Sequence, residues 1–205
     1  MEEELNNILD HVSELYHRYG IKSVTMDDVA RELGISKKTL YVHVKDKSEL
    51  VRLVIERKLE NNQCMMEDVF NRDHNAIEEL IEVSKKTKLM LETHSPTVEY
   101  DLKKYFPDLF KRMQQVLFEK MYLAVLENIK KGKKEGIFRG EMNEEVIAKL
   151  HVSRIMGMME NPLFTLNEFI SENVFNEIFI YHIRGMANEK GLRVLEENID
   201  KLTNE

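Results

Sequence analysis

The stretch Thr25–Leu50, TMDDVARELGISKKTLYVHVKDKSEL, decides how the rest of this chain is read. Thr25 suits a helix N-cap, and Asp27 and Asp28 follow in the first turn, where the helix dipole favours acids. Val29, Ala30 and Leu33 supply an apolar face before Gly34 stops the helix. After one spacer, Ile35, Ser36 opens a second short helix through Thr39, Leu40 and Tyr41. Two short helices joined by a turn containing glycine predict a helix-turn-helix. Asp46 or Ser48 then starts a long helix that continues to about Phe70.

Several features coincide in this stretch. Ala30 and Gly34 lie four apart where the helices cross and turn, and Leu40 is placed as the buried anchor of the second helix. Thr39-Leu40-Tyr41-x-His43 is followed by Val44 and then by Lys47-Ser48-Glu49-Leu50. In these motifs the chain resembles the TetR family of bacterial transcription regulators. The close match covers about the first 55 residues, while the remainder agrees only in helix count and length. The resemblance implies an all-α protein with two parts. An amino-terminal three-helix DNA-binding domain would occupy residues 1–47, and a helical ligand-binding and dimerisation domain residues 48–205. It also implies DNA contact by Thr25, Lys37, Lys38, Thr39, Tyr41, His43 and Lys47. The sequence departs from the family pattern at Val42, where a second aromatic is common, and in the acidic pair Asp27-Asp28, which suits a helix cap better than a phosphate.

The same residues read as a DNA interface on physical grounds. A helix opening at Ser36 projects Lys37, Lys38 and Thr39 from its first turn, the part that meets base edges in a major groove. A lysine there donates to guanine O6 or N7, and the threonine methyl packs on a thymine methyl. Tyr41, His43 and Lys47 carry polar tips suited to phosphate oxygens. Taken singly, the lysines would be a solvated helix face, Tyr41 a packing residue and His43 a surface histidine. Their joint arrival after a glycine turn is what points to operator DNA.

Working outward, Leu5, Ile8, Leu9, Val12, Leu15, Tyr16 and Tyr19 form a helical stripe ahead of the motif, closed by Gly20. Beyond it, helices are expected at about 75–93, 97–105, 107–133, 143–160 and 167–189, with a helical tail to about Leu202. The breaks are Thr93-His94-Ser95-Pro96, Phe106-Pro107, the stretch Gly132–Gly140 and Asn161-Pro162. No segment alternates as a strand would.

The last long helix is apolar all round at Ile178–Tyr181, so one of its faces needs a partner. With the small residues Ser153 and Gly157 of the preceding helix, it suggests a two-fold four-helix bundle. The expected dimer interface is Ser153, Gly157, Phe175, Ile178, Phe179 and His182. The middle helices are rich in methionine and aromatics, which ordinarily fill a core but also line adaptable apolar cavities. The candidate pocket residues are Met66, Phe70, Met90, His94, Tyr105, Phe106, Met113, Leu117, Tyr122 and His151.

Composition bounds the remaining possibilities. The chain has 205 residues, 33% charged and 42% hydrophobic, with three prolines, eight glycines and a net charge of −7. That charge argues against wholesale coating of nucleic acid. Yet Ser36–Lys47 holds four lysines, Lys37, Lys38, Lys45 and Lys47, against one acid, Asp46. Cys64 stands alone and cannot form an internal disulfide. With no signal-like segment and no apolar run long enough for a bilayer, a cytoplasmic protein is expected. There is no Gly-x-Ser-x-Gly elbow, no phosphate-cradling glycine loop, and no Cys or His pair at metal spacing, so neither an enzyme nor a cofactor is expected.

The expectation is a homodimeric, DNA-binding transcriptional regulator, a repressor in its simplest form, whose operator binding responds to a small apolar effector. Two other readings stay open. One is a ligand-independent DNA-binding organiser with a protein partner. The other is a ligand-binding protein whose helix-turn-helix has lost DNA affinity, against which the basic cluster counts.

Overall fold

A computed structural model describes residues 2–70, 72–159 and 163–202. Among them are eleven α-helices, a 3-10 turn at Ile199–Leu202 and one isolated bridge, Phe138 with Ala187, but no strand. The expected break at Asn161-Pro162 lies outside the described residues.

Packing divides the chain into two compact units, 1–64 with 95–116 and 65–94 with 117–205. The sequence boundary at 47/48 falls instead at the start of α4 (Lys47–Phe70), one unbroken helix that begins in the first unit and ends in the second.

In the first unit, α1 (Glu2–Tyr19) buries Ile8, Leu9, Val12, Leu15 and Tyr16 along its stripe, while Tyr19 at its end is exposed. Gly20 closes the helix at φ 79°, its N–H donating to the Tyr16 carbonyl at 2.8 Å. The short helices α2 (Met26–Glu32) and α3 (Lys37–His43) follow, separated by Gly34 at φ 65°. Val29, Ala30, Leu40 and Val44 join Leu50, Val51, Val54 and Ile55 of α4 in one core. α6 (Pro96–Tyr105) and the start of α7 (Pro107–Lys134) belong to this unit too. Leu102 is buried in its core, and Val98, Phe106, Phe110 and Met113 pack against it. This reassigns residues that the sequence places in a ligand-binding domain.

The second unit is built on α5 (Ala76–Glu92), the end of α7, α8 (Glu144–Met159), α9 (Leu166–Ile170), α10 (Glu172–Met186) and α11 (Glu189–Asn198). Its core holds Ile77, Ile81, Ile129, Phe138, Phe179, Ile183 and Leu195. A buried polar network joins α5 to α7. The Glu79 carboxylate accepts from Lys131 Nζ at 2.5 Å and from Asn128 Nδ2 at 2.8 Å, and Asn128 also donates to the Ala76 carbonyl. The charge on Glu79 is thereby paired and hydrogen-bonded, which is what its burial requires.

α7 ends at Lys134, in line with the helix expected at about 107–133, and the Phe138 ring lies where a side chain at Gly132 would be. The chain turns at Gly136, φ 69°, inside the expected break Gly132–Gly140. The helix expected at 167–189 differs, being two helices. Ser171 takes an extended ψ of 138° and its hydroxyl donates to the Glu168 carbonyl at 2.6 Å, ending α9 and opening α10.

A Cβ at Gly191 would strike the Ile137 carbonyl, which is backbone, whereas a Cβ at Gly140 meets nothing within 4 Å. Gly191→Ala is therefore expected to destabilise the protein by about 1–3 kcal/mol. Gly140→Ala should stay within roughly 0.5 kcal/mol of the parent. Urea unfolding of the two variants checks the difference.

Candidate nucleic-acid interface and effector cavity

The second helix of the motif is held by a few groups. Ser36 caps it, its Oγ accepting from Thr39 N–H at 3.0 Å and lying 2.8 Å from Thr39 Oγ1. Leu40 is fully buried and roots it in the core. With Leu40 inward, Lys38, Tyr41 and Val42 stand exposed at i, i+3 and i+4 on the opposite face. Val42, 72% exposed, is a contact candidate that the sequence reading passed over. The signal was available, because an apolar residue next to the buried anchor of a seven-residue helix has to face outward.

The sequence-predicted residues differ in how free they are. Lys37 forms an ion pair with Asp27, so one acid of the Asp27-Asp28 pair offsets part of the local positive charge. Asp28 serves the capping box of α2, as its position suggested. Its Oδ2 accepts from Thr25 Oγ1 at 2.6 Å and from Thr25 N–H at 3.0 Å. The Thr25 hydroxyl, then Arg31, holds the Asp28 carboxyl below its ordinary range. Thr25 thus uses its hydroxyl proton within the protein. His43 also has a partner within the protein. Its side chain is 9% exposed and its Nε2 lies 3.7 Å from Glu4 Oε1 of α1.

Lys47 is half-buried, and burial lowers its pKa while Asp101 and Asp28 act in the other direction. Its Nζ donates to the Lys22 carbonyl at 3.1 Å, clamping the turn after α1. That turn is also held from α6, where Asp101 accepts from Lys22 N–H at 2.8 Å. Tyr105 lies beside it, with Lys22 Nζ 5.0 Å from the ring centre. Tyr105 is therefore an exposed neighbour of the helix-turn-helix turn, not part of a buried pocket.

The second unit contains a cavity of about 50 Å³ lined by α5, α8, α9 and α10. His151 is the one residue of the expected pocket that lines it. Phe106 and Met113 pack on the core of the first unit, and Tyr122 on that of the second. His151 Nδ1 and His182 Nε2 are 2.5 Å apart, both side chains buried. Burial first, then the nearby Arg154, lowers His182 to about 4, and burial lowers His151 strongly in the same direction.

Of the expected dimer residues, Phe179 and His182 are buried inside the protomer, because they share the inward face of α10 with Ile183. Phe175 and Ile178 line the cavity. Ser153 and Gly157 are exposed, in line with Val146 and Leu150 on α8, and Tyr181 is 78% exposed on α10. No described helix is long and apolar enough to cross a membrane, and no described cluster of His, Cys, Asp and Glu is arranged to hold a metal.

Residues 8–54 match the amino-terminal profile of the bacterial regulatory proteins of the tetR family. A curated HTH-type transcriptional regulator of Staphylococcus aureus strain USA300 is 40% identical over 58 residues, 28% of this chain and 31% of that protein. The match thus spans about a third of the relative's length. Three solved structures share the fold over most of the chain. A transcriptional regulator of Cytophaga hutchinsonii matches at TM-score 0.75 and 19% identity, over 90% of this chain and 99% of that one. A TetR-family regulator of Agrobacterium tumefaciens matches at 0.68 and 14%, over 91% and 99%. The ketosteroid transcriptional regulator of Mycobacterium tuberculosis matches at 0.59 and 17%, over 91% and 96%. At these identities the likeness is one of fold.

The histidine pair has a consequence for stability. Both imidazoles resist protonation in the fold, whereas an unfolded imidazole takes a proton near 6.5. The unfolded state then binds more protons below that pH, so stability present above about 6.5 is lost as pH falls toward 4. Urea midpoints are expected to drop between pH 7 and 5. A His151→Gln, His182→Gln double variant should show a flatter profile, and an identical slope would refute the assignment.

Proposed function

From a chain whose residues 8–54 match the profile of the tetR family of bacterial regulatory proteins, we propose a transcriptional regulator that binds operator DNA as a two-fold dimer and responds to a small effector. The observation that carries this reading is the outward face of α3, Lys38, Tyr41 and Val42, held rigidly over the buried Leu40. A helix about 10–12 Å across fits a major groove about 12 Å wide. Lys38 is placed to read a base edge, Val42 to meet a thymine methyl, and Lys47 to hold a phosphate. Two copies related by a dyad read a palindrome with half-sites about one DNA turn apart. Seated on a promoter, such a dimer represses.

The dimer surface that best fits is the α8 stripe Val146, Leu150, Ser153 and Gly157, with Tyr181 of α10. These residues are exposed in the protomer and mostly apolar or small, so close helix approach covers them. Effector control would run along α4, which begins at Lys47 beside the DNA-reading helix and ends in the second unit. A coupling of about 1–3 kcal/mol between effector and DNA is typical of such systems. The effector needs only a higher affinity for one of the two states. One fold relative is named a ketosteroid regulator, which supports an effector with apolar character. A second reading, an organiser that binds a protein partner, takes over if no small molecule changes DNA affinity.

Operator titrations at two salt concentrations test the DNA contacts. Lys38→Ala is expected to cost about 1–3 kcal/mol and relax base preference, while Lys47→Ala weakens all sequences alike and lowers the salt slope by about 1. Wild-type affinity in both variants would overturn the assignment. Sedimentation tests the dimer. Leu150→Glu, at an exposed position, should leave helix content unchanged and halve the sedimenting mass. A well-folded dimer of this variant would exclude the α8 stripe.

A further inference from the structure

The cavity of the second unit is chemically one-sided. Leu80, Leu91, Phe175 and Phe179 form apolar walls, and the polar lining is Ser84, Thr87, His151 and Arg154. Among the described residues no lining side chain is acidic. Arg154 Nη1 donates to the Ile178 carbonyl at 3.2 Å, but its Nε is buried with no acceptor among the described residues. No described carboxylate pairs with it either. The side chain is partly buried, so its Nε is shielded from water without an acceptor, and the guanidinium stays protonated all the same. The contrast lies within the same unit, where buried Glu79 has both a lysine and an asparagine.

An anion is the occupant that relieves this imbalance. Burial keeps the His151–His182 pair uncharged near neutral pH, so Arg154 supplies the site's single positive charge. One positive charge matches one negative charge, and the apolar walls match a hydrocarbon body. The free volume, about 50 Å³, is well below the roughly 300–1,000 Å³ of sites for drug-sized ligands. We propose that this cavity binds a small amphipathic monoanion, a short-chain organic carboxylate, with the carboxylate paired to Arg154 and the hydrocarbon against Phe175 and Phe179. This rests on the effector reading above and gives its ligand a chemical class. The guanidinium fork accepts a carboxylate by two parallel hydrogen bonds, and it repels an ammonium of equal size.

Calorimetric titration of the full chain with propionate, 1-propanol and propylammonium tests the site without DNA. Propionate is expected to bind at least 10-fold more tightly than propanol, and propylammonium not at all. Arg154→Gln should weaken propionate roughly 10-fold or more, the size of a lost charged hydrogen bond, and leave propanol unchanged. Arg154→Lys, which keeps the charge but not the fork, should fall between. If Arg154→Gln does not fold, the Lys variant and the wild-type preference decide. Equal affinity for propionate and propanol, no binding of carboxylates from acetate to butyrate, or full propionate affinity in the variants would overturn the proposal. Operator titration with and without propionate separates the two ideas. Propionate bound through Arg154 with DNA affinity unchanged would sustain the site and sink its role as an effector site. DNA affinity shifted by another compound, with propionate unbound, would do the reverse.

Discussion

Everything this protein is proposed to do with DNA hangs on the burial of one side chain, Leu40. A helix of seven residues has no stability of its own in water, since its nucleation cost exceeds what so few hydrogen bonds return. α3 exists because Leu40 is sunk among the side chains of α1, α2 and α4, and because Ser36 satisfies an otherwise orphan N–H. Truncating such a residue would cost about 2–5 kcal/mol, which is a large share of a typical domain's stability. The surface that faces outward is therefore a by-product of the face that is hidden. Lys38, Tyr41 and Val42 are rigidly presented because Leu40 cannot turn away from the core.

The arrangement around the turn after α1 extends the same logic to a more distant part of the chain. Asp101 belongs to α6, seventy-nine residues along from Lys22, yet its carboxylate holds the Lys22 N–H. Gly20 has no side chain where Thr97 and Asp101 come close, and its positive φ turns the chain there. The motif is thus braced from α6 as well as from its own helices. α6 therefore counts as part of the unit that holds the helix-turn-helix, although nothing local in its sequence announces that placement.

Local sequence carries the elements whose cause is local, and no others. The stripe from Leu5 to Tyr16, the caps at Thr25 and Ser36 and the stops at Gly20 and Gly34 were legible because each depends on residues within one or two turns. The basic face of α3 was legible for the same reason. What could not be read depended on distant packing. Gly132 lies in α7, and the Phe138 ring that occupies the place of its missing side chain is a contact no helix periodicity announces. The break at Ser171 lies within an apolar run whose periodicity would carry a helix through. Ile178–Tyr181 looks apolar all round, but Phe179 belongs to the core and Tyr181 to the surface. Residue type marks candidate pocket residues, and type does not say which of two cores a methionine or an aromatic joins. Motif position singles out Lys37 and His43, and their pairing with Asp27 and Glu4 appears only when α1, α2 and α3 are placed together.

The unbroken course of α4 has a practical side. The chain's single cysteine, Cys64, is exposed on this helix, at the last residue of the first unit. A nitroxide or fluorophore attached there requires no substitution anywhere else in the molecule. In a two-fold dimer it marks one position per subunit, so the label pair reports a single distance and its spread. The native thiol is thus a ready spectroscopic ruler, seated on one of the helices that run from the first unit into the second.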